Sequence, residues 1–236
     1  MRRTTPPNGF QPEASGTEVP LPVILGHGRR LSARLKAETA QAHRAVETTA
    51  FVRAFMQGML ERPAFVRLVA SHLHVYRALE AALARLRAHP VVGRLWFPEL
   101  LRYDALQADY AYLTGNDPAH AERSPATRDY VERIEVAALR APHRLASHTY
   151  TRYMGDLSGG QMMRRVARDA YGLSERGLSF HAFPAIPKKG AFKEEYRCVL
   201  DELPLTPAQA DEVVAEASEA FRLNGAVFEE LVPPEA

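Results

Sequence analysis

From Leu31 onward the apolar residues return every three or four positions, and nowhere do they alternate over a stretch long enough for a strand. That regularity restricts the chain to packed helices, because a period of 3.6 places apolar side chains on one face of a helix and a period of 2 is needed for a half-buried strand. The clearest run is Phe65, Leu68, Val69, His72, Tyr76, Leu79, Leu83 and Leu86, with Pro63 at its start and Pro90 expected to end it. Ser32 is expected to cap a helix reaching about Thr49. Further helices are expected from Glu99 to Leu113, closed by Gly115, and from Ser124-Pro125 to about Leu139. Others run from Pro142 to Gly172 and from Ala191 to Leu203, after a loop over 178–190. Thr206-Pro-Ala-Gln209 spells a capping box that launches a last helix to about Leu231. The expected fold class is all-α, a single irregular multi-helix domain over 31–236. The first 30 residues, rich in Pro, Gly, Thr and Glu without a helical period, read as a flexible N-terminal arm.

Composition removes several functions. A formal net charge of +2 over 236 residues does not favour nucleic-acid binding. One cysteine, Cys198, excludes an intrachain disulfide and a thiolate metal cluster. No stretch approaches the roughly 20 apolar residues of a membrane helix, and the run Val19–Leu25, broken by two prolines, makes a poor signal peptide. The expectation is a cytoplasmic protein with no membrane partner. No Glu-x-x-His or His-Glu-x-x-His pattern is present, so neither a di-iron carboxylate bundle nor a zincin site is expected.

Two segments can carry chemistry. In Tyr150-Thr-Arg-Tyr-Met-Gly-Asp-Leu-Ser-Gly-Gly-Gln161, three glycines interrupt a helical context. Each costs a helix interior about 1 kcal/mol relative to alanine, which needs a compensating reason: a kink, or the close approach of a flat ligand to the backbone. Leu157–Gln161 also matches a signature peptide of ABC-type ATPases, but no lysine is followed by Ser or Thr as a phosphate loop requires. The second segment is His43-Arg-Ala-Val-Glu47, where a carboxylate one turn away can steer the imidazole. Lys36 lies two turns earlier, roughly 10 Å along the axis, a spacing that suits a cation at the rim of a large planar ligand centred on His43.

Together these residues resemble the haem oxygenase family over Leu31 to Leu231. The 150–161 block is close to the family signature, Leu31–Glu47 resembles its proximal helix, and Ala220–Asn224 with Phe228–Leu231 resembles its closing helix. The resemblance implies haem sandwiched between the proximal helix and a glycine-kinked distal helix, with His43 as iron ligand and Glu47 as its partner. It lays Gly155, Gly159 and Gly160 against the haem face. It assigns Asp156 a distal water network with Tyr76, Tyr130, Arg152 and Asn224. It gives Lys36, Tyr150, Lys193 and Arg197 to the propionates, and Phe221 and Phe228 to the pocket wall.

The implied reaction is cleavage of haem at the α-meso carbon by O2 and reducing equivalents, yielding biliverdin IXα, CO and Fe2+. The alternative is a non-catalytic haem carrier or sensor on the same fold. Electrons must come from an external donor, a ferredoxin- or flavodoxin-like protein or a reductase. Arg164, Arg165, Arg168, Lys188, Lys189, Lys193 and Arg197 are expected to form a basic docking face for it. Ala40 stands where the family often has a second basic residue, and the membrane-anchoring tail of some animal members has no expected counterpart.

Overall fold

The computed structural model describes residues 30–232. The expected arm therefore lies outside the described residues, except for Arg30, which sits at the N-cap of the first helix. Among the described residues there are helices and turns and no strand.

The segment expected as one helix from Ser32 to Thr49 is two short ones, α1 (Leu31–Glu38) and α2 (Ala40–Glu47), and α3 (Ala50–Met56) follows directly. The breaks fall at threonines. Thr39 Oγ1 donates back to the Leu35 carbonyl at 2.6 Å, and Thr48 Oγ1 to the Arg44 carbonyl at 3.0 Å. Such back-bonding competes with the helical ladder and bends it. Thr49 then accepts from the Val52 amide and caps α3. Ser32 is not the cap that its type suggests. It lies inside α1, where its amide and hydroxyl both donate to Asp201, at 2.8 and 3.0 Å.

Two helices of 24 residues, α4 (Arg62–Arg85) and α10 (Pro207–Glu230), form the frame, each about 36 Å long at 1.5 Å per residue. The expected stripe of α4 is buried from Phe65 to Leu83. The helix ends at Arg85, five residues before Pro90, and in the turn that follows His89 Nδ1 accepts from the amides of Val91 and Val92. Against α4 pack α5 (Tyr103–Thr114) and α6 (Pro125–Arg140). Helix α5 starts four residues later than expected, where the Glu80 carboxylate of α4 accepts from the Arg102 and Tyr103 amides. Gly115, at φ 72°, closes it in the left-handed region that favours glycine. The capping box of Thr206 and Gln209 opens α10 as its spacing dictates, and α10 packs on α2, α6 and α7 (Leu145–Thr149).

After α7 the chain makes a π-helical turn over Tyr150–Met154 and then enters α8 (Gly155–Tyr171). The irregularity expected at the glycines thus lies one turn before them, and Gly155 itself has ordinary helical angles, φ −60° and ψ −51°. A π-turn inserts one residue into the helix and rotates the side chains of the next turns about its axis. The loop expected over 178–190 carries a short 3₁₀ turn at Ser179–His181, and α9 spans Lys189–Asp201. No helix of the described residues is long and apolar enough to cross a membrane.

Candidate active site

Helix α2 forms one wall of a cleft of about 580 Å³; the π-turn and the first two turns of α8 form the other. The residues that face it from the second wall are Tyr150, Thr151, Met154, Gly155, Ser158 and Gly159. They recur at four, the spacing of one helical face. A Cβ added to Gly155 or Gly159 would meet no atom within 4 Å. The two glycines therefore leave bare backbone on the cleft side, a cradle that side chains would fill.

From α2, His43 and Glu47 face the same cleft. His43 Nδ1 lies 3.3 Å from Glu47 Oε2, and the ring meets Phe221 of α10 edge-on at 5.3 Å. With Nδ1 turned to the carboxylate, Nε2 is the nitrogen left for a ligand. Lys36, Tyr150 and Arg197 line the same space. Tyr150 has its hydroxyl pushed up by burial, with Arg197 working against that. Lys193 does not line the cleft directly, but its Nζ donates to Ser158 Oγ at 3.3 Å on the cleft face.

The opposite face of the same helical segment holds a buried polar network. Tyr76 of α4 donates to Asp156 Oδ2. Arg152 donates through Nη1 to Asn224 Oδ1 of α10, and its Nη2 lies 3.4 Å from Asp156 Oδ1. The guanidinium also stacks over the Tyr76 ring at 5.3 Å. Burial pushes the Asp156 carboxyl well above the usual carboxylate range. Tyr130 sits at the edge of the network. Its hydroxyl has no hydrogen-bond partner, and burial pushes it up to about 12, with Arg152 opposing. Thr151 Oγ1 and Arg152 Nε are likewise buried without a partner. Orphaned polar atoms are uncommon in packed interiors and concentrate where a ligand or water is handled.

One residue expected against the haem face, Gly160, and one expected in the wall, Phe228, lie elsewhere. Gly160 is turned away from the cleft, where a Cβ would come 3.0 Å from His181 Nδ1; its glycine serves helix–loop packing. Phe228 is in the core, stacked on Phe51 at 5.0 Å. In the expected basic face, Arg164, Arg168 and Arg197 are each engaged with a nearby carboxylate, of Glu175, Asp169 and Glu194. The sequence reading missed His72, which touches Arg152. The available signal was its place one turn before Tyr76 on the same face of α4.

Among the described residues no group of three or more His, Cys, Asp or Glu side chains is placed to hold a metal ion. A lone imidazole facing an open cleft fits a metal that arrives with most of its ligands, as haem iron does. The bare glycine backbone and the partnerless polar atoms beside it fit a flat ligand of that kind.

Comparison with known proteins agrees. The family model described as Heme oxygenase matches residues 29–230. Heme oxygenase 1 of Synechocystis sp. is 36% identical over 202 residues, covering 85% of this chain and 84% of that protein. Heme oxygenase 1 of Rattus norvegicus is 40% identical over 214 residues, covering 89% and 74%. The crystal structure of the Synechocystis heme oxygenase-1 in complex with heme superposes with a TM-score of 0.83 at 36% identity, covering 86% of this chain and 92% of that one. The structure of the Leptospira interrogans enzyme superposes with a TM-score of 0.82 at 39% identity, covering 86% and 100%. The chain belongs to the haem oxygenase family.

Proposed function

We propose that this protein binds one haem in the α2–α8 cleft through His43 and, with O2 and external electrons, opens it at the α-meso carbon to biliverdin IXα, CO and Fe2+. One observation carries this reading: the exposed imidazole and the bare glycine face share a cleft, and a buried acid held by Tyr76 and Arg152 lies on the other side of the same helix. Haem is substrate and also supplies the oxygen-activating chemistry once bound.

The residues divide the remaining work. Glu47 holds His43 Nδ1 and so presents Nε2 to the iron. Gly155 and Gly159 let the porphyrin face approach the backbone, which excludes bulk water from that side. Asp156 keeps a proton at a carboxyl raised by burial and passes it into the cleft through ordered water. Arg152, Tyr76 and Asn224 fix that carboxyl in place, with Tyr130 at the edge of the same water network. Lys36, Tyr150, Lys193 and Arg197 engage the propionates, and this sets the rotation of the ring and hence which meso carbon is attacked. A carrier or sensor has no use for a raised acid on the helix that bears the ligand face, which favours the enzyme.

The test is to add haem to the purified protein, record the spectrum, then add reductant in air. Biliverdin IXα with CO release is the expected outcome. A stable ferrous complex without bilin overturns the catalytic reading, and a β or δ isomer overturns the assigned ring orientation.

The electron donor is proposed to be an acidic ferredoxin- or flavodoxin-like protein, and the site of action the cytoplasm, where reduced carriers of that kind are available. Lys188 and Lys189 stand at the start of α9, whose first turn has no acidic residue, although a helix N-terminus favours negative charge. A cationic cluster held there against that preference suits docking of an anionic surface. Turnover driven by an acidic donor should fall with salt, and more so in wild type than in Lys188→Glu/Lys189→Glu. Equal low-salt rates in the two proteins place the docking site elsewhere.

A further inference from the structure

His72 is buried on α4, 4% exposed, one turn before Tyr76. Its Nε2 lies 3.1 Å from Arg152 Nη2. A guanidinium only donates, so the imidazole accepts at Nε2 and carries its proton on Nδ1. Burial, reinforced by the charge of Arg152 and by His181, holds His72 well below the usual histidine range. It therefore stays a neutral acceptor.

The same Nη2 that serves His72 at 3.1 Å also faces Asp156 Oδ1, at the longer distance of 3.4 Å. The other guanidinium NH2 is committed to Asn224. One NH2 group thus serves two acceptors, with one N–H for each, and the imidazole has the shorter contact, so its position fixes how near the group can come to Asp156. The ring is held in this position from a second side. Phe180 packs 5.4 Å from the His72 ring and edge-on to Tyr76 at 5.3 Å. Phe180 is itself pinned by its amide, which donates to Asp109 Oδ2 of α5 at 2.8 Å. Side chains locked in this way from several elements are what hold a reacting group in a fixed geometry.

We propose that His72 is a positioning residue for haem cleavage: it draws the Arg152 guanidinium off Asp156 and so leaves the carboxyl able to hold and release a proton. This rests on the haem oxygenase reading of the site. A buried carboxylate fully engaged by an arginine is held in its ionised form, and an ionised carboxylate is no proton source. By holding that NH2 group at the shorter distance, His72 keeps the Arg152–Asp156 contact long. The bland alternative is that His72 only fills space between α4 and the 178–183 segment.

Leucine fills similar space without accepting, and glutamine accepts through its Oε1, so His72→Leu and His72→Gln separate the two readings. In haem-free protein, carbon-13 NMR of the Asp156 carboxyl should show its titration midpoint moved to lower pH by about one unit in H72L and unmoved in H72Q. The Arg152 side-chain nitrogen-15 signals should shift in H72L and persist in H72Q. With haem and reductant in air, H72L should bind haem with unchanged affinity but form biliverdin about tenfold more slowly, with H72Q within about twofold of wild type. Should H72L fail to fold, His72→Met carries the same test.

An unmoved Asp156 midpoint in H72L overturns the proposal, and so does a loss in H72Q equal to that in H72L. If wild type makes no biliverdin, the haem oxygenase reading fails, while the haem-free titration still decides whether His72 controls the Arg152–Asp156 contact.

Discussion

Two pairs of acidic and basic side chains in this molecule have the same sequence spacing and nearly the same length. His43 and Glu47 meet at 3.3 Å and Arg152 and Asp156 at 3.4 Å, each four residues apart on a helix. Their surroundings differ. The first pair has side chains 48% and 60% exposed, on α2, a helix with no fully buried residue. The second has side chains 6% and 10% exposed, enclosed by α4, α10 and its own helix. An exposed pair is worth about 0–1 kcal/mol. Breaking a buried pair from one side costs about 3–5 kcal/mol, because a charge is left uncompensated. The exposed pair can adjust to an incoming ligand, whereas the buried one is organised before anything binds. On the proposed reading, the binding side is left soft and the proton-handling side is prebuilt.

The largest expected effects break the two walls separately. His43→Ala should weaken haem binding, seen as loss of the haem-complex spectrum, and abolish turnover, since no neighbour on α2 offers another imidazole. Asp156→Ala should still bind haem but make biliverdin at least about 100-fold more slowly, the lower range for loss of a positioned acid. Normal bilin output from either variant removes that residue from its role.

The next contrast is in stability. Arg152→Met should destabilise the protein by about 3–5 kcal/mol at pH 8 in denaturant unfolding, and Glu47→Ala by less than about 0.5 kcal/mol. The Arg152→Met loss should shrink at low pH. A cation at 3.4 Å favours the ionised form, so removing it should raise the proton affinity of the buried carboxyl further, and the folded state then gains stability as pH falls. Equal losses at pH 5 and pH 8 would mean that Asp156 does not titrate in the fold.

The smallest effects compare two adjacent glycines. Gly159→Ala meets nothing within 4 Å and gains helix propensity, so the haem-free protein should be stabilised by about 1 kcal/mol while haem affinity falls. Gly160→Ala pushes a methyl to 3.0 Å from the buried His181 ring, so it should lower the melting temperature and leave haem affinity nearly unchanged. Parallel behaviour of the two variants would erase the distinction between a cleft face and a packing face.

Much of the fold was legible because it is local. Ser124, Thr206 with Gln209, and Gly115 act at the helix ends where their chemistry places them. The 150–161 block and the His43–Glu47 spacing were visible for the same reason. What could not be read depends on distant partners. Ser32 resembles a cap but is taken by Asp201, 169 residues away. Gly160 and Gly159 are indistinguishable in a glycine-rich string until His181 packs behind one of them. The family resemblance gives Phe228 to the pocket wall, yet Phe51 stacks on it in the core, where its inward spacing also points.

The sequence by itself determined that the chain is helical, where most helices begin and end, and which residue types are available for a flat iron-bearing ligand. Propensity, capping and periodicity decide these, and they act over a few residues. Only the tertiary structure decided which of two equally spaced side-chain pairs faces water and which is sealed beside His72, Tyr76 and Asn224. The physical reason is that the charge state and strength of such a pair depend on the dielectric around it, and that is set by helices brought together from 72 to 80 residues away along the chain.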